Sequence, residues 1–153
     1  MAQNQRSQIV MTPDEVDEFL REQRTATMCS IHRDGSIHAV AMWYGFLDGE
    51  VAFETKAKSQ KVQNLRRDPR LTVMVESGDR YEELRGVEVV GKAEIIEDPD
   101  QLWAIGLSVY ERYVGPYDEE HGRPAVAGML NKRVGVRLHP DRVVSWDHRK
   151  LGG

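Results

Sequence analysis

The chain carries a single cysteine, Cys29, in 153 residues. One thiol builds neither a disulfide framework nor a cysteine metal site, and such usage fits a reducing cytoplasm, where we expect the protein. Long apolar runs are also missing. Nothing approaches the ~20 residues that cross a bilayer, and the opening MAQNQRSQ lacks the apolar stretch of a secretory signal. No membrane partner is expected. Positive charge is not in excess either: the net charge of -4 argues against binding nucleic acid, which depends on a broad basic field. Internal repeats and low-complexity tracts are absent, which excludes solenoids and disordered arrays. What is present, 40% hydrophobic and 30% charged residues, describes a globular domain able to bury roughly two-thirds of its unfolded surface. We expect an N-terminal tail over 1–11 and one domain over 12–153.

The apolar pattern is mostly of period two. Thr12-Pro13-Asp14-Glu15 opens a helix, with a capping threonine, proline at the first helical position and glutamate three residues past the cap. Val16, Phe19 and Leu20 give it an apolar face. From Thr25 the residues become β-branched, and Asp34-Gly35 marks a hairpin turn to a long strand expected over Ile37 to Leu47. A second Asp-Gly at Asp48-Gly49 leads to Val51–Thr55, so three strands are expected to form a meander. Leu71, Val73 and Val75 alternate, as do Val87, Val89, Gly91, Ala93 and Ile95, where mid-strand Gly91 signals a bend or a close neighbour. Asp98-Pro99 opens a second helix with a wide apolar face. Gly115 to Pro124 has the composition of an exposed loop, Val134–Leu138 alternates again, Pro140-Asp141 reads as a turn, and Arg142–Trp146 is a last strand. Six or seven strands joined mainly by hairpins favour a closed or half-closed antiparallel barrel over a parallel sheet.

The chain is organised around FETKAKSQKVQNLRRDPRLTVMV, from Phe53 to Val75: a strand end, a basic turn, a short helix and the next strand. Thr55, Lys58, Ser59 and Lys61 gather where the helix begins, so hydroxyls, ammonium groups and free backbone N–H groups converge on one point. That is the chemistry of an anion site, most simply for a phosphate. Val62 and Leu65 share the buried face, and Asp68-Pro69 ends the helix. Ser59 is either the N-cap of this helix or a ligand contact. Basic residues at a helix start are ordinarily a solvated face, and Arg66-Arg67 with Arg70 has two readings, surface or contact with an acidic cofactor tail. Trp43 likewise has three: core, dimer interface or ligand wall.

Two segments, GSIHAVAMWY and TKAKSQKVQNLRRDPR, together with the closing Trp146-Asp147, resemble the split-barrel family of pyridoxamine 5'-phosphate oxidase and its relatives that use the deazaflavin coenzyme F420. The resemblance covers Met11 to Trp146. It implies a mainly β fold, an antiparallel split β-barrel of six to seven strands with flanking helices. It also implies an F420-dependent oxidoreductase that passes a hydride between the deazaflavin and an unsaturated or carbonyl small molecule. Thr55, Ser59 and Lys61 would hold the phosphate, with Lys58 and Asn64 nearby, and His38, Ala41, Met42 and Trp43 would flank the ring. Tyr81, Leu84 and Arg85 would reach over the cofactor from the second subunit of a homodimer. No catalytic acid or base and no metal is implied. Gln60 stands where the flavin-using oxidases commonly carry arginine, which speaks against FMN, and no Arg-rich segment follows Trp146, which speaks against vitamin B6 chemistry; the length, the NLRRDP turn and the closing SWDHR resemble the deazaflavin branch. The alternatives are FMN in the same fold, or a non-catalytic module that binds a cofactor or haem.

Overall fold

The computed structural model describes residues 4–152. Its elements are α1 (Gln5–Ile9), α2 (Pro13–Glu22), β1 (Ala26–Ile31), β2 (Ile37–Met42), β3 (Gly45–Leu47), β4 (Glu50–Lys56), α3 (Gln60–Arg67), β5 (Arg70–Ser77), β6 (Arg85–Ile96), α4 (Pro99–Tyr113), α5 (Gly122–Met129) and β7 (Arg133–Asp147). All seven strands join one antiparallel sheet in the order β2-β1-β5-β6-β7-β4-β3, curled into a half-barrel with helices at its flanks.

The inner face of the sheet carries the core. Met28, Phe53, Leu71, Val73, Val75, Val87, Val136 and Leu138 bury there together with Phe19 and Leu20 of α2 and Tyr44. α2 starts on the expected capping box: the Thr12 N–H donates to Glu15 Oε1 (2.9 Å) and the Glu15 N–H to Thr12 Oγ1 (3.2 Å). A smaller cluster, Leu47, Ala52, Ile96 and Ile105, lies under α4. Among the described residues no helix is long and apolar enough to cross a membrane.

Four local expectations are corrected. Ile37 to Leu47 is not one strand: β2 ends at Met42, and β3 lies at the opposite edge of the sheet. The three strands expected early are therefore four, in two separate pairs, β1–β2 and β3–β4, and form no meander. The chain crosses between the edges because α4 grips residue 44, as described below. Pro140-Asp141 is not a turn: β7 runs through it, with a register shift against Val90/Gly91 that places one extra residue in β7. A Cβ on Gly91 would lie 2.0 Å from the His139 carbonyl oxygen, the close neighbour that mid-strand glycine signalled. Finally, the expected loop over 115–124 holds the first residues of α5, whose Gly, Ala and Pro content hid its helical period. Where a tail was expected, Ile9 and Met11 are buried, and the Met11 N–H donates to the Ser145 hydroxyl (3.0 Å).

Candidate functional site

α3 is laid against the end of β1 by one buried amide. The Asn64 side chain is fully buried; its Oδ1 accepts from Gln60 Nε2 (2.8 Å) and from the Arg67 guanidinium (3.4 Å). Its Nδ2 donates to the Ser30 hydroxyl (3.2 Å) and faces His32 Nδ1 at 3.4 Å. Every polar valence of Asn64 is thus taken, and its part in the site is to fix the pitch of α3 rather than to touch a ligand.

With α3 so placed, its N-terminal end meets the end of β4. Thr55 is buried to 3% exposure, and its hydroxyl makes no hydrogen bond among the described residues. Ser59 occupies the N-cap position, yet its hydroxyl accepts no capping bond, and Oγ is buried without a partner. Among the described residues three buried side-chain atoms lack a hydrogen bond: Ser59 Oγ, His38 Nδ1 and Glu54 Oε2. Burial without a partner costs roughly 1–3 kcal/mol per group, so the bare Ser59 hydroxyl at the start of α3 marks a place built for a ligand. Glu54 Oε2 does lie 3.2 Å from Arg133, as an ion pair without hydrogen-bond alignment. Burial pushes the Glu54 carboxyl above its ordinary range, and Arg133 opposes that.

Lys61 has no carboxylate within ion-pair reach among the described residues. Burial, then Arg133 and Lys56, pull its ammonium below the ordinary lysine value. Repulsion of that sign is what an arriving anion relieves. A groove of about 750 Å³ opens beside this turn, lined by Lys56, Lys58, Lys132 and Arg133 with Gly128 and Met129. It is closed on one side by the Ala57 N–H, which donates to the Lys132 carbonyl (3.0 Å); Lys132 adopts a left-handed backbone (φ 58°) to do so. Lys56, Lys132 and Arg133 escaped sequence reasoning as site residues. Lys132 and Arg133 lie beyond a helix whose period is hidden, and no sequence signal links them to the basic turn.

β2 contributes differently. It is an edge strand, so its outward backbone N–H and C=O groups are free to pair with a planar heterocycle. Its side chains alternate: His38, opposite Ser30, and Met42, opposite Ala26, face inward, whereas Ala41 faces out beside Thr27. Trp43 follows, 57% exposed, and stacks on Tyr113 of α4 with ring centroids 4.4 Å apart. Next to it, residue 44 is held at both backbone groups: the Tyr44 N–H donates to the Tyr113 hydroxyl (3.0 Å), and the Tyr44 carbonyl accepts from Arg112 Nε (2.8 Å). Arg112 also donates to the carbonyls of Arg21 (3.1 Å) and Gln23 (2.7 Å). The last turn of α4 therefore sets where Trp43 stands, and neither Arg112 nor Tyr113 was legible as such in the sequence.

Tyr81, Leu84 and Arg85 are not brought to this place. They sit at the start of β6, where Tyr81 packs on His148 (4.6 Å) and Arg85 lies over Phe19 and 3.5 Å from Glu22. α3 lies at the far end of β6, where Arg66 pairs with Glu97 (2.7 Å). The intervening strand spans roughly 35 Å, so within one chain the two groups do not meet.

A family model described as pyridoxamine 5'-phosphate oxidase matches residues 12–147. No curated protein matches the chain. Among solved structures, the conserved hypothetical protein Rv2991 from Mycobacterium tuberculosis is similar at 53% identity, with 98% of this chain and 93% of that chain covered and a TM-score of 0.94. An F420 reductase is similar at 28% identity, 83% and 94% coverage and a TM-score of 0.62. HutZ, the haem storage protein from Vibrio cholerae, shares the fold at 15% identity, 87% and 94% coverage and a TM-score of 0.67.

Proposed function

Because the chain belongs to the pyridoxamine 5'-phosphate oxidase family, we propose that it is an oxidoreductase that binds coenzyme F420 and passes a hydride between it and an unsaturated or carbonyl small molecule. One observation carries the reading: at the mouth of α3 the hydroxyls of Thr55 and Ser59 have no partner and the Lys61 ammonium has no counterion. A phosphate oxygen supplies what each lacks, and the helix N-terminus adds free N–H groups. The residues present thus fit the cofactor's phosphate. The deazaflavin, when bound, supplies the hydride chemistry. Thr55, Ser59 and Lys61 anchor it, the edge of β2 pairs with the ring, and Met42 and Trp43 exclude water from it.

F420 is favoured over FMN by the basic groove. Lys56, Lys58 and Lys132 have no carboxylate partner among the described residues, and they continue from the phosphate position. A phosphate that leads on into an acidic chain, as in F420, matches that stripe; FMN ends at its phosphate. The likeness to an F420 reductase supports the same choice.

The site is completed by a second copy. One face of the sheet has no helix over it, and its rows are Ala41-Thr27-Met74 and Ala39-Cys29-Thr72-Val90, with Ile31 and Ile37 beyond, all half-buried or exposed. A homodimer that covers this face brings the partner's copies of Tyr81, Leu84 and Arg85 to the ring, which the protomer's own copies cannot reach.

The test is a titration of the protein with oxidised F420 and oxidised FMN. A colourless protein that quenches deazaflavin fluorescence, and then reoxidises reduced F420 with an unsaturated acceptor, supports the proposal. A protein purified yellow with flavin bands assigns FMN instead. Tight binding without turnover by any acceptor leaves a binding module and overturns the enzyme.

A further inference from the structure

The ring of His38 stands edge-on to that of His32, with centroids 5.0 Å apart at 86°. Two imidazoles in contact raise the question of which one carries a proton, and the surrounding hydrogen bonds answer it. Arg67 can only donate, so the Asn64 atom facing it is the oxygen, and the amide's NH2 end must face Ser30 and His32. His32 Nδ1 is therefore the acceptor of that contact. Asp34 is engaged in its own turn, accepting from the Ser36 N–H (2.9 Å) and hydroxyl (2.6 Å).

His38 has no such engagement. Its Nδ1 is buried and without a partner, and the charged group facing it from α3 is Lys61. Burial, then His32 and Lys61, push the His38 value below the ordinary histidine range. An anion seated beside Lys61 inverts the sign of that environment.

We infer that His38 is a further ligand of the anion site, and that it binds the anion as imidazolium, taking one proton from solvent as the anion enters. The inference rests on the anion site proposed above and deepens it. The anion supplies the hydrogen-bond partner that His38 Nδ1 lacks. By linkage, a proton bound with the anion makes affinity rise as pH falls toward the histidine range.

Inorganic sulfate is the probe, because it has the shape and charge of a phosphate dianion and does not itself titrate near neutrality. The His38 ring resonance is followed by NMR from pH 5 to 8 with and without sulfate, and sulfate affinity is measured calorimetrically over the same range. We expect sulfate to raise the His38 titration midpoint by about one pH unit, and affinity to climb several-fold from pH 8 to pH 5.5, with about tenfold as the ceiling that one unit allows. His38→Gln is expected to flatten that slope, and His32→Gln to retain it. Sulfate binding that Lys61→Ala weakens but that is flat with pH, or a slope that survives in His38→Gln, overturns the role of His38 alone. Sulfate that does not bind, or binds Lys61→Ala equally well, overturns the anion site with it.

Discussion

Lys61 carries a positive charge among Lys56 and Arg133 with no carboxylate to answer it among the described residues, an arrangement that folding alone gives no reason to keep. A charge-assisted bond to phosphate is worth roughly 1.5–3 kcal/mol, so Lys61→Ala is expected to weaken binding of oxidised F420 by roughly ten- to a hundredfold; equal affinity in a fluorescence titration would remove the phosphate assignment. Glu54 acts in the opposite sense, because its carboxylate pairs with Arg133 at 3.2 Å and dilutes the local positive field. Glu54→Gln is expected to tighten sulfate a few-fold, and a weaker complex would show that Glu54 serves the site rather than opposing it. At the other end of the molecule Asp147, buried to 3% exposure, takes the Arg149 guanidinium at 2.9 and 2.8 Å. That pair holds the Asp147 carboxyl below the usual range. A lowered native value gives stability that is full above the unfolded value near 3.9 and is lost as pH falls through the native one. Asp147→Asn is expected to cost roughly 2 kcal/mol in urea unfolding at pH 7, with the gap to wild type closing toward pH 3; a gap independent of pH would assign the loss to packing.

Between residues and the whole stand the contacts of single elements. α4 closes on the β2–β3 crossover through Arg112, which meets three carbonyls and lies over the rings of Tyr44 (4.5 Å) and Phe46 (5.0 Å). Removing the guanidinium strands those carbonyls, so Arg112→Met is expected to cost roughly 3 kcal/mol. Because Tyr113 is held in the same network, the variant is also expected to shift Trp43 fluorescence in a background where the other tryptophans are replaced by phenylalanine. A variant as stable as wild type would mean that packing of α4 alone holds the crossover. The β6–β7 bulge has a comparable dependence on one atom: the backbone of His139 approaches Gly91 too closely for any side chain. The same bulge bends the two longest strands of the sheet and so gives the half-barrel its curl.

For the molecule as a whole the decisive quantity is the uncovered sheet face. Ile37 is 62% exposed and borders Ile31 and the row Ala39-Cys29-Thr72-Val90. A sheet face with this many uncovered apolar side chains is expected to be buried by a second copy. Ile37→Glu is expected to shift sedimentation from dimer to monomer, and with it to lose F420 binding, since Tyr81, Leu84 and Arg85 would no longer arrive from the partner. A wild-type monomer that binds F420 fully would overturn the dimeric site while leaving the anion mouth intact.

Short-range chemistry was readable in advance wherever a few neighbouring residues decide the outcome. The Thr12 capping box, the Asp34-Gly35 turn, the end of α3 at Asp68-Pro69 and the alternation of β5 and β6 all follow from local sterics and hydrogen bonds, as does the gathering of Thr55, Ser59 and Lys61 at one helix mouth. The sequence by itself thus determined the alternation of β5 and β6, the antiparallel class and the basic turn. Tertiary structure alone decided that β2 and β3 part to opposite edges, that Lys132 and Arg133 join the basic turn, and that Arg67, through Asn64, turns an amide N–H toward His32. Each of these depends on groups tens of residues apart that meet only when the sheet curls, and no period of two or 3.6 encodes such a meeting.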